Sequence, residues 1–334
     1  MTAGNRGNRE QTTPCNAIAG EPLRAVLGED LRGLRLDQAL AQRFPAYSRT
    51  TLKRWILDGK VRVDRKPPRP RNPVRGGERV EVWVQAEVHD DWQPQLIALD
   101  VLYEDEDLIV LNKPAGLVVH PGAGNRDGTL LNALLHFEPV LATLPRAGIV
   151  HRLDKDTSGI MVVARSARAQ TKLMQDLSSR QLKREYSAVI NGLAISGGTV
   201  NAPIGRHPSQ RTRMAVTEHG KPAHTHYRVI QRFRAHTHLL VRLDTGRTHQ
   251  IRVHMAHLGY PLLGDPLYGG RCRLPAGATP DLVDCIKGFK RQALHAARLE
   301  LRHPGTGELL GWSASWPLDF STLVAALAAD LESL

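Results

Sequence analysis

Apolar positions along this chain follow two different rhythms. Near the start, Leu36, Ala39, Leu40 and Phe44 recur at helical spacing, and Pro45 ends that run. Ser48 offers an N-cap to a second helix with the stripe Leu52, Trp55 and Ile56, and Gly59 closes it. Lys60 to Asp64 and the alternating run Gly76 to Val84 read as strands, separated by a proline-rich stretch from Lys66 to Pro73. From about Ile97 the pattern turns mostly to strands. Asp107 to Pro121 reads as a strand pair around a Pro-Ala-Gly turn, and Lys183 to Ile190, Ala223 to Phe233, His238 to Leu243 and Gln292 to Leu301 read as further strands. Helices are expected over Thr129 to His136, from Ala167 to about Ser179 behind a Ser166 cap, over Ile251 to Leu258, and over Ser321 to Leu334. Met1 to Gly20 has no periodicity and is expected to be a disordered head.

One stretch stands apart. The apolar runs Gly148 to Val150 and Ile160 to Ala164 read as buried strands, and between them lies His-Arg-Leu-Asp-Lys-Asp-Thr-Ser, residues 151–158. Strands hold such a loop rigidly, and rigid loops carry catalytic groups. Asp154 lies between the cations Arg152 and Lys155, as suits a carboxylate acting as nucleophile or general base. Asp, Thr, Ser and Gly are also turn formers, so a turn-capping role remains open on composition alone.

Charge narrows the picture. Forty-five Lys and Arg stand against thirty-three Asp and Glu, a net charge of +12, which suits a polyanion partner such as RNA. Arg49 and Lys53 share a face of the second helix, with Arg54 beside them and Lys60 and Arg62 just beyond, and these are candidate RNA contacts. A later loop, marked by Gly and Pro, carries Arg206, Arg211 and Arg213, again suited to phosphates or to a basic surface. Lys113 could touch a phosphate or be a solvated turn residue. The three cysteines, Cys15, Cys272 and Cys285, include no Cys-x-x-Cys pair, which argues against a disulfide framework or zinc ribbon. His249, His254 and His257 lack the i, i+4 spacing of a zinc helix, so no metal and no cofactor is expected. No apolar run is long enough for a membrane span and the first residues lack the apolar core of a secretory signal, so a cytoplasmic protein is expected.

The run His-Arg-Leu-Asp-Lys-Asp-Thr-Ser-Gly at 151–159 resembles the catalytic motif of the RluA-type pseudouridine synthases. Asn-Lys-Pro-x-Gly at 112–116, Arg-Glu-Tyr at 184–186, Gly-Arg-Thr-His-Gln-Ile-Arg-Val-His at 246–254 and Gly-Asp-Pro-Leu-Tyr-Gly-Gly at 264–270 are similar to further motifs of that family. Residues 205–216 and 264–270 point to its RluD-like branch. The resemblance implies isomerisation of uridine to pseudouridine in RNA, with large-subunit ribosomal RNA as substrate and Asp154 as the essential carboxylate. It implies that Arg152 fills the vacated base stack or holds the backbone, that Tyr186 and Ile251 sandwich the flipped base, and that Arg252 pairs with Asp154. It also implies an α+β fold: a small αL-type RNA-binding domain, then a mixed, largely antiparallel sheet with a central cleft. The expected division is a disordered head over 1–20, an RNA-binding module over 21–90, a linker over 91–96 and a catalytic domain over 97–334. A monomer acting on ribosomal RNA, free or in a pre-ribosomal particle, is expected. The alternatives are a transfer-RNA or other ribosomal-RNA target, a non-catalytic ribosome-assembly factor, and a glycoside or nucleoside hydrolase using Asp154 with Asp156.

Overall fold

The computed structural model describes residues 22–45, 47, 49–84, 92–122, 124–210, 212–270 and 273–333. The expected disordered head, the Ser48 cap and Arg211 lie outside the described residues. The chain divides into two compact units, residues 1–90 and 91–334.

In the first unit, strand β1 (Leu23–Val26) precedes helices α1 (Leu36–Arg43) and α2 (Arg49–Leu57), which are followed by β2 (Val61–Val63) and β3 (Arg79–Val82). The strands form an antiparallel sheet in the order β1-β3-β2. The apolar stripes meet there: Leu36, Ala39, Leu40, Leu52, Trp55 and Ile56 are buried together with Val61, Val80 and Val82. β1 had no signal in the hydrophobic pattern, because its four residues, Leu-Arg-Ala-Val, are mostly exposed and owe their place to pairing with β3.

The second unit is built on β4 (Val101–Glu104), β5 (Leu108–Lys113), α3 (Leu130–Phe137), β6 (Ser158–Ala164), α4 (Ala167–Ser178), β7 (Lys183–Asn191) and β8 (Gly198–Asn201). It continues through β9 (Ile204–Arg206), β10 (Met214–Val216), β11 (His224–Arg232), β12 (His236–Leu243), α5 (Gln250–His257) and α6 (Pro280–Gly288). It ends with β13 (Leu294–Arg302), β14 (Leu309–Ser313) and α7 (Leu318–Glu332). Nine strands form one sheet in the order β4-β5-β6-β13-β7-β12-β11-β8, with β14 continuing the edge of β13 that β6 leaves. Every pairing in it is antiparallel except β6 with β13, which makes the sheet mixed. β9 and β10 form a separate hairpin.

Local chemistry explains the helix starts. Thr129 caps α3 in a reciprocal box with Asn132, and Ser166 accepts the Ala169 amide at the head of α4. β6 is buried at every position, as an interior strand covered on both faces must be.

Two expected strands are not formed. Gly148 to Val150 is no strand: the chain turns through left-handed Arg146 and Ala147, and only Ile149 bridges to Val163. Gly148 takes φ +75°, and a Cβ there would lie 1.9 Å from the Ala164 carbonyl oxygen, so the backbone is packed too closely for another residue. Leu117 to Pro121 likewise makes no strand. The carbonyls of Val118 and Val119 accept instead from the amides of Leu130 and Leu131 at the head of α3. The basic loop from Ala202 to Met214 contains strand β9 and runs into β10, and these runs of three residues are too short for periodicity to mark.

Candidate active site

The loop between Ile149 and β6 carries Asp154 onto the wall of a cavity of about 600 Å³. Tyr186 reaches the cavity from β7, Ile251 and Arg252 from α5, and Arg152 from the same loop as Asp154. The sequence thus scatters these five residues over a hundred positions, and the sheet and α5 gather them around one space. Tyr186 and Ile251 are buried, whereas Arg152 is exposed.

The charges are layered. Asp265 is wholly buried and grips Arg252 in a two-pronged pair, Nε to Oδ2 at 2.7 Å and Nη2 to Oδ1 at 2.9 Å. The free side of the guanidinium donates from Nη1 to Asp154 Oδ2 at 3.1 Å. Asp265 also accepts the amides of Leu267 and Tyr268 through Oδ1, a local turn that fixes the carboxylate before it meets the arginine. Burial works to raise the pKa of Asp265, but the hydrogen bonds and charge of Arg252 and those amides outweigh it and hold the group below the usual carboxylate range. For Arg252 burial acts to lower the pKa, and the two carboxylates reverse that effect.

His249 stands on the other side of Asp154, Nε2 to Oδ1 at 3.9 Å. It occupies a left-handed backbone conformation, φ 57°, at the head of α5. Its Nδ1 lies 2.8 Å from the Tyr268 hydroxyl, which also accepts the Met214 amide and so ties β10 to the site. Burial, opposed by Asp154, lowers the pKa of His249. The loop leading into α5 is fixed by Gln250, whose Oε1 accepts from Thr245 Oγ1 and the Arg247 amide while its Nε2 donates to the His224 carbonyl and Thr225 Oγ1.

Beneath the Asp154 loop lies Lys113, fully buried, donating to the carbonyls of Pro114, Leu117 and Lys155 at 2.7, 2.9 and 2.9 Å. Neither of the two roles read from the sequence describes it: Lys113 meets neither solvent nor a surface where a phosphate could lie. Burial pushes its pKa down to about 7, against the pull of Asp156 and Asp154. On the same loop, Arg291 donates to the Asp156 carbonyl at 3.1 Å while pairing with Asp319, and Gln292 donates to Thr157 Oγ1 at 2.9 Å. His254 is a structural group, held between Thr225 Oγ1 and the Ala202 carbonyl.

The candidate RNA-contacting cations are arranged less simply. Arg49 and Arg35 both bind the buried carboxylate of Asp37, at 3.0 Å each, so Arg49 is engaged within its own unit. Lys53, Arg54 and Arg62 are exposed, Lys60 is half-buried, and the Arg62 guanidinium lies 5.4 Å from the Trp83 ring centre. Arg206 and Arg213 sit on the β9–β10 hairpin, outside the cavity lining.

Asp265 and Gln250 are the structural keys that sequence reasoning did not single out. Both lie within the family-like runs 246–254 and 264–270, but beyond that their local signals are only an Asp before Pro in a turn-forming run and a polar residue opening a helix, and neither marks a role.

Residues 107–257 match the family model described as RNA pseudouridylate synthase, and residues 34–80 match the S4 domain. A protein of Yersinia pestis called ribosomal large subunit pseudouridine synthase D is 55% identical over 93% of this chain and 96% of its own length. The protein of the same name in Escherichia coli strain K12 is 55% identical over 93% of this chain and 95% of its own length. A solved structure, human RNA pseudouridylate synthase domain containing 4, superposes with a TM-score of 0.56 at 26% identity, covering 69% of this chain and 93% of that one.

Proposed function

The chain belongs to the RNA pseudouridylate synthase family, and from that premise we propose that it isomerises specific uridines of large-subunit ribosomal RNA to pseudouridine, with Asp154 as the reacting carboxylate. The observation that carries the reading is the Asp265–Arg252–Asp154 chain at the cavity wall, beside buried Tyr186. The substrate follows from the relatives, which are similar along nearly their whole length and are called ribosomal large subunit pseudouridine synthase D.

The isomerisation needs no net input, because the same atoms leave and return. A uridine stacked in RNA must first be flipped out, at a cost of a few kcal/mol of stacking. Arg152, exposed at the mouth, fills the vacated stack or holds the backbone. Tyr186 and Ile251, both buried and apolar-faced, enclose the base. Asp154 then acts on the sugar, with Arg252 holding Oδ2 and leaving Oδ1 free of hydrogen bonds among the described residues. Arg252 is fixed by Asp265, so little reorganisation is needed as charge develops. The S4 unit offers Lys53, Arg54, Lys60 and Arg62 to phosphates, in keeping with a net charge of +12. The protein works as a cytoplasmic monomer on free or partly assembled ribosomal RNA. Among the described residues no helix is long and apolar enough to cross a membrane.

Incubation with transcribed large-subunit ribosomal RNA, followed by carbodiimide mapping, should reveal new pseudouridines at discrete sites. Binding without any modification would favour an assembly factor, and release of free uracil would favour a hydrolase. Modification of transfer RNA alone would move the target.

A further inference from the structure

Arg184, on β7 two residues before Tyr186, lines the same cavity and is buried, with 7% of its surface exposed. Its Nε is enclosed and has no hydrogen-bond partner among the described residues, and no ion pair there involves it. A buried charge without a counter-ion is costly, so a partner is expected to arrive from outside the chain. Residue 246 is glycine, and a Cβ there would come within 2.9 Å of Arg184 Nη1, so the missing side chain leaves room for the guanidinium itself in the cavity wall. The other buried cation of the cavity, Arg252, is already matched by Asp265 and Asp154.

On the reading of the site given above, we propose that Arg184 is a further catalytic residue, whose guanidinium binds a carbonyl oxygen of the target uracil and holds the base's negative charge while it is detached from the ribose. The chemistry demands such a group. When C1′–N1 breaks, its electron pair leaves with the uracil and spreads over N1, O2 and O4. Asp154 meets the deficit at the sugar, by a bond to C1′ or by taking the C2′ proton. The turned base then gives an electron pair from C5 to C1′, Asp154 is released or returns its proton, C5 loses its proton to water, and N1 gains one. Between those steps the uracil is an anion unless an acid protonates it. The three histidines in the lining are seldom protonated and so can rarely supply that proton: burial first, then neighbouring arginines, pushes His120 down to about 4 and His151 to about 3, and burial lowers His249 as well, against the pull of Asp154. A fixed cation beside the base does the work instead. A phosphate is the less fitting ligand, because the exposed cations of the lining, Arg146, Arg152 and Arg180, lie where a hydrated backbone can reach.

The test compares R184M and R184K with the wild type in single-turnover reactions on a large-subunit RNA fragment, with RNA affinity measured alongside. Carbon–nitrogen bond cleavage is also followed on the same RNA carrying 5-fluorouridine, whose base is a better leaving group. R184M should lose about 100-fold in rate on uridine while binding RNA within about threefold of wild type. Its deficit should shrink by about tenfold or more with the fluorinated base, and R184K should retain most of the rate that R184M loses. A deficit seen in affinity instead would make Arg184 a phosphate contact, and equal deficits on both bases would make it structural; either overturns the proposal. Should R184M not fold, R184Q replaces it in the same comparison. A wild type that forms no pseudouridine contradicts the functional reading itself, and a wild type that does so while R184M matches it contradicts only the role of Arg184.

Discussion

Replacing Asp265 with asparagine probes the layer behind Asp154, the carboxylate proposed to react. The two side chains have the same shape, so the change is electrostatic. Oδ1 of Asp265 accepts the amides of Leu267 and Tyr268, at 2.9 and 3.0 Å, and those donors oblige the asparagine oxygen to take that position. The NH2 group then falls where Oδ2 was, 2.7 Å from Arg252 Nε, and two donors face each other. Removing one partner of a buried ion pair costs about 3–5 kcal/mol. Asparagine keeps one oxygen and Arg252 keeps Asp154, so a loss near the lower bound, about 3 kcal/mol, is expected. Arg252 must shift to relieve the clash, and a displacement of the order of 1 Å in a positioning group costs about 100-fold in rate. Urea denaturation and single-turnover tritium release from C5-labelled uridine measure the two losses. A variant destabilised as expected but turning over at the wild-type rate would refute the claim that Asp265 aims Arg252. A variant unchanged in both would refute the pair's importance altogether.

Lys113→Met should leave the carbonyls of Pro114, Leu117 and Lys155 without their donor, costing about 1–3 kcal/mol for each one that water cannot reach, and should raise amide exchange across 154–157 in hydrogen–deuterium exchange. The histidines set an acid limit on stability. His236 is fully buried, and burial above all pushes its pKa down to about 4, while the unfolded side chain titrates near the ordinary histidine value of about 6.5. Between those values the unfolded chain binds the extra proton, so stability is complete above about pH 6.5 and falls as pH drops toward 4, by up to about 1.4 kcal/mol per pH unit for one such group. His236→Phe should flatten that slope in thermal melts between pH 7 and pH 4.5, whatever its effect at neutral pH.

The sequence made some of this legible because its rules are local. The stripes of α1 and α2, the Ser166 cap of α4 and the unbroken apolar run of β6 each carry their own signal, and each element lies where that signal puts it. The five residues Arg152, Asp154, Tyr186, Ile251 and Arg252 stood out through family-like motifs, and the fold brings them to one cavity. What stayed hidden depends on distant partners. The strand expected at Gly148 to Val150 fails because Gly148 packs against the Ala164 carbonyl, a contact no window of sequence can register. Lys113 looks like a surface turn residue until the Asp154 loop is laid over it. α6 went unread because Pro280 to Gly288 follows a Gly- and Pro-rich run that resembles continued loop, although Thr279 caps it. Arg49 carries a contact that helix periodicity does not register, its guanidinium bound to Asp37 twelve residues earlier.

The account rests on one oxygen donor at position 154, and Asp154→Asn isolates it. The substitution preserves shape and keeps an acceptor for Arg252 Nη1. The decisive measurement is tritium release from C5-labelled uridine in large-subunit ribosomal RNA by this variant, with RNA affinity determined on the same preparation. The account predicts no detectable release and affinity within about threefold of wild type, since the cations proposed to hold RNA are untouched. Release at a rate approaching wild type would contradict it.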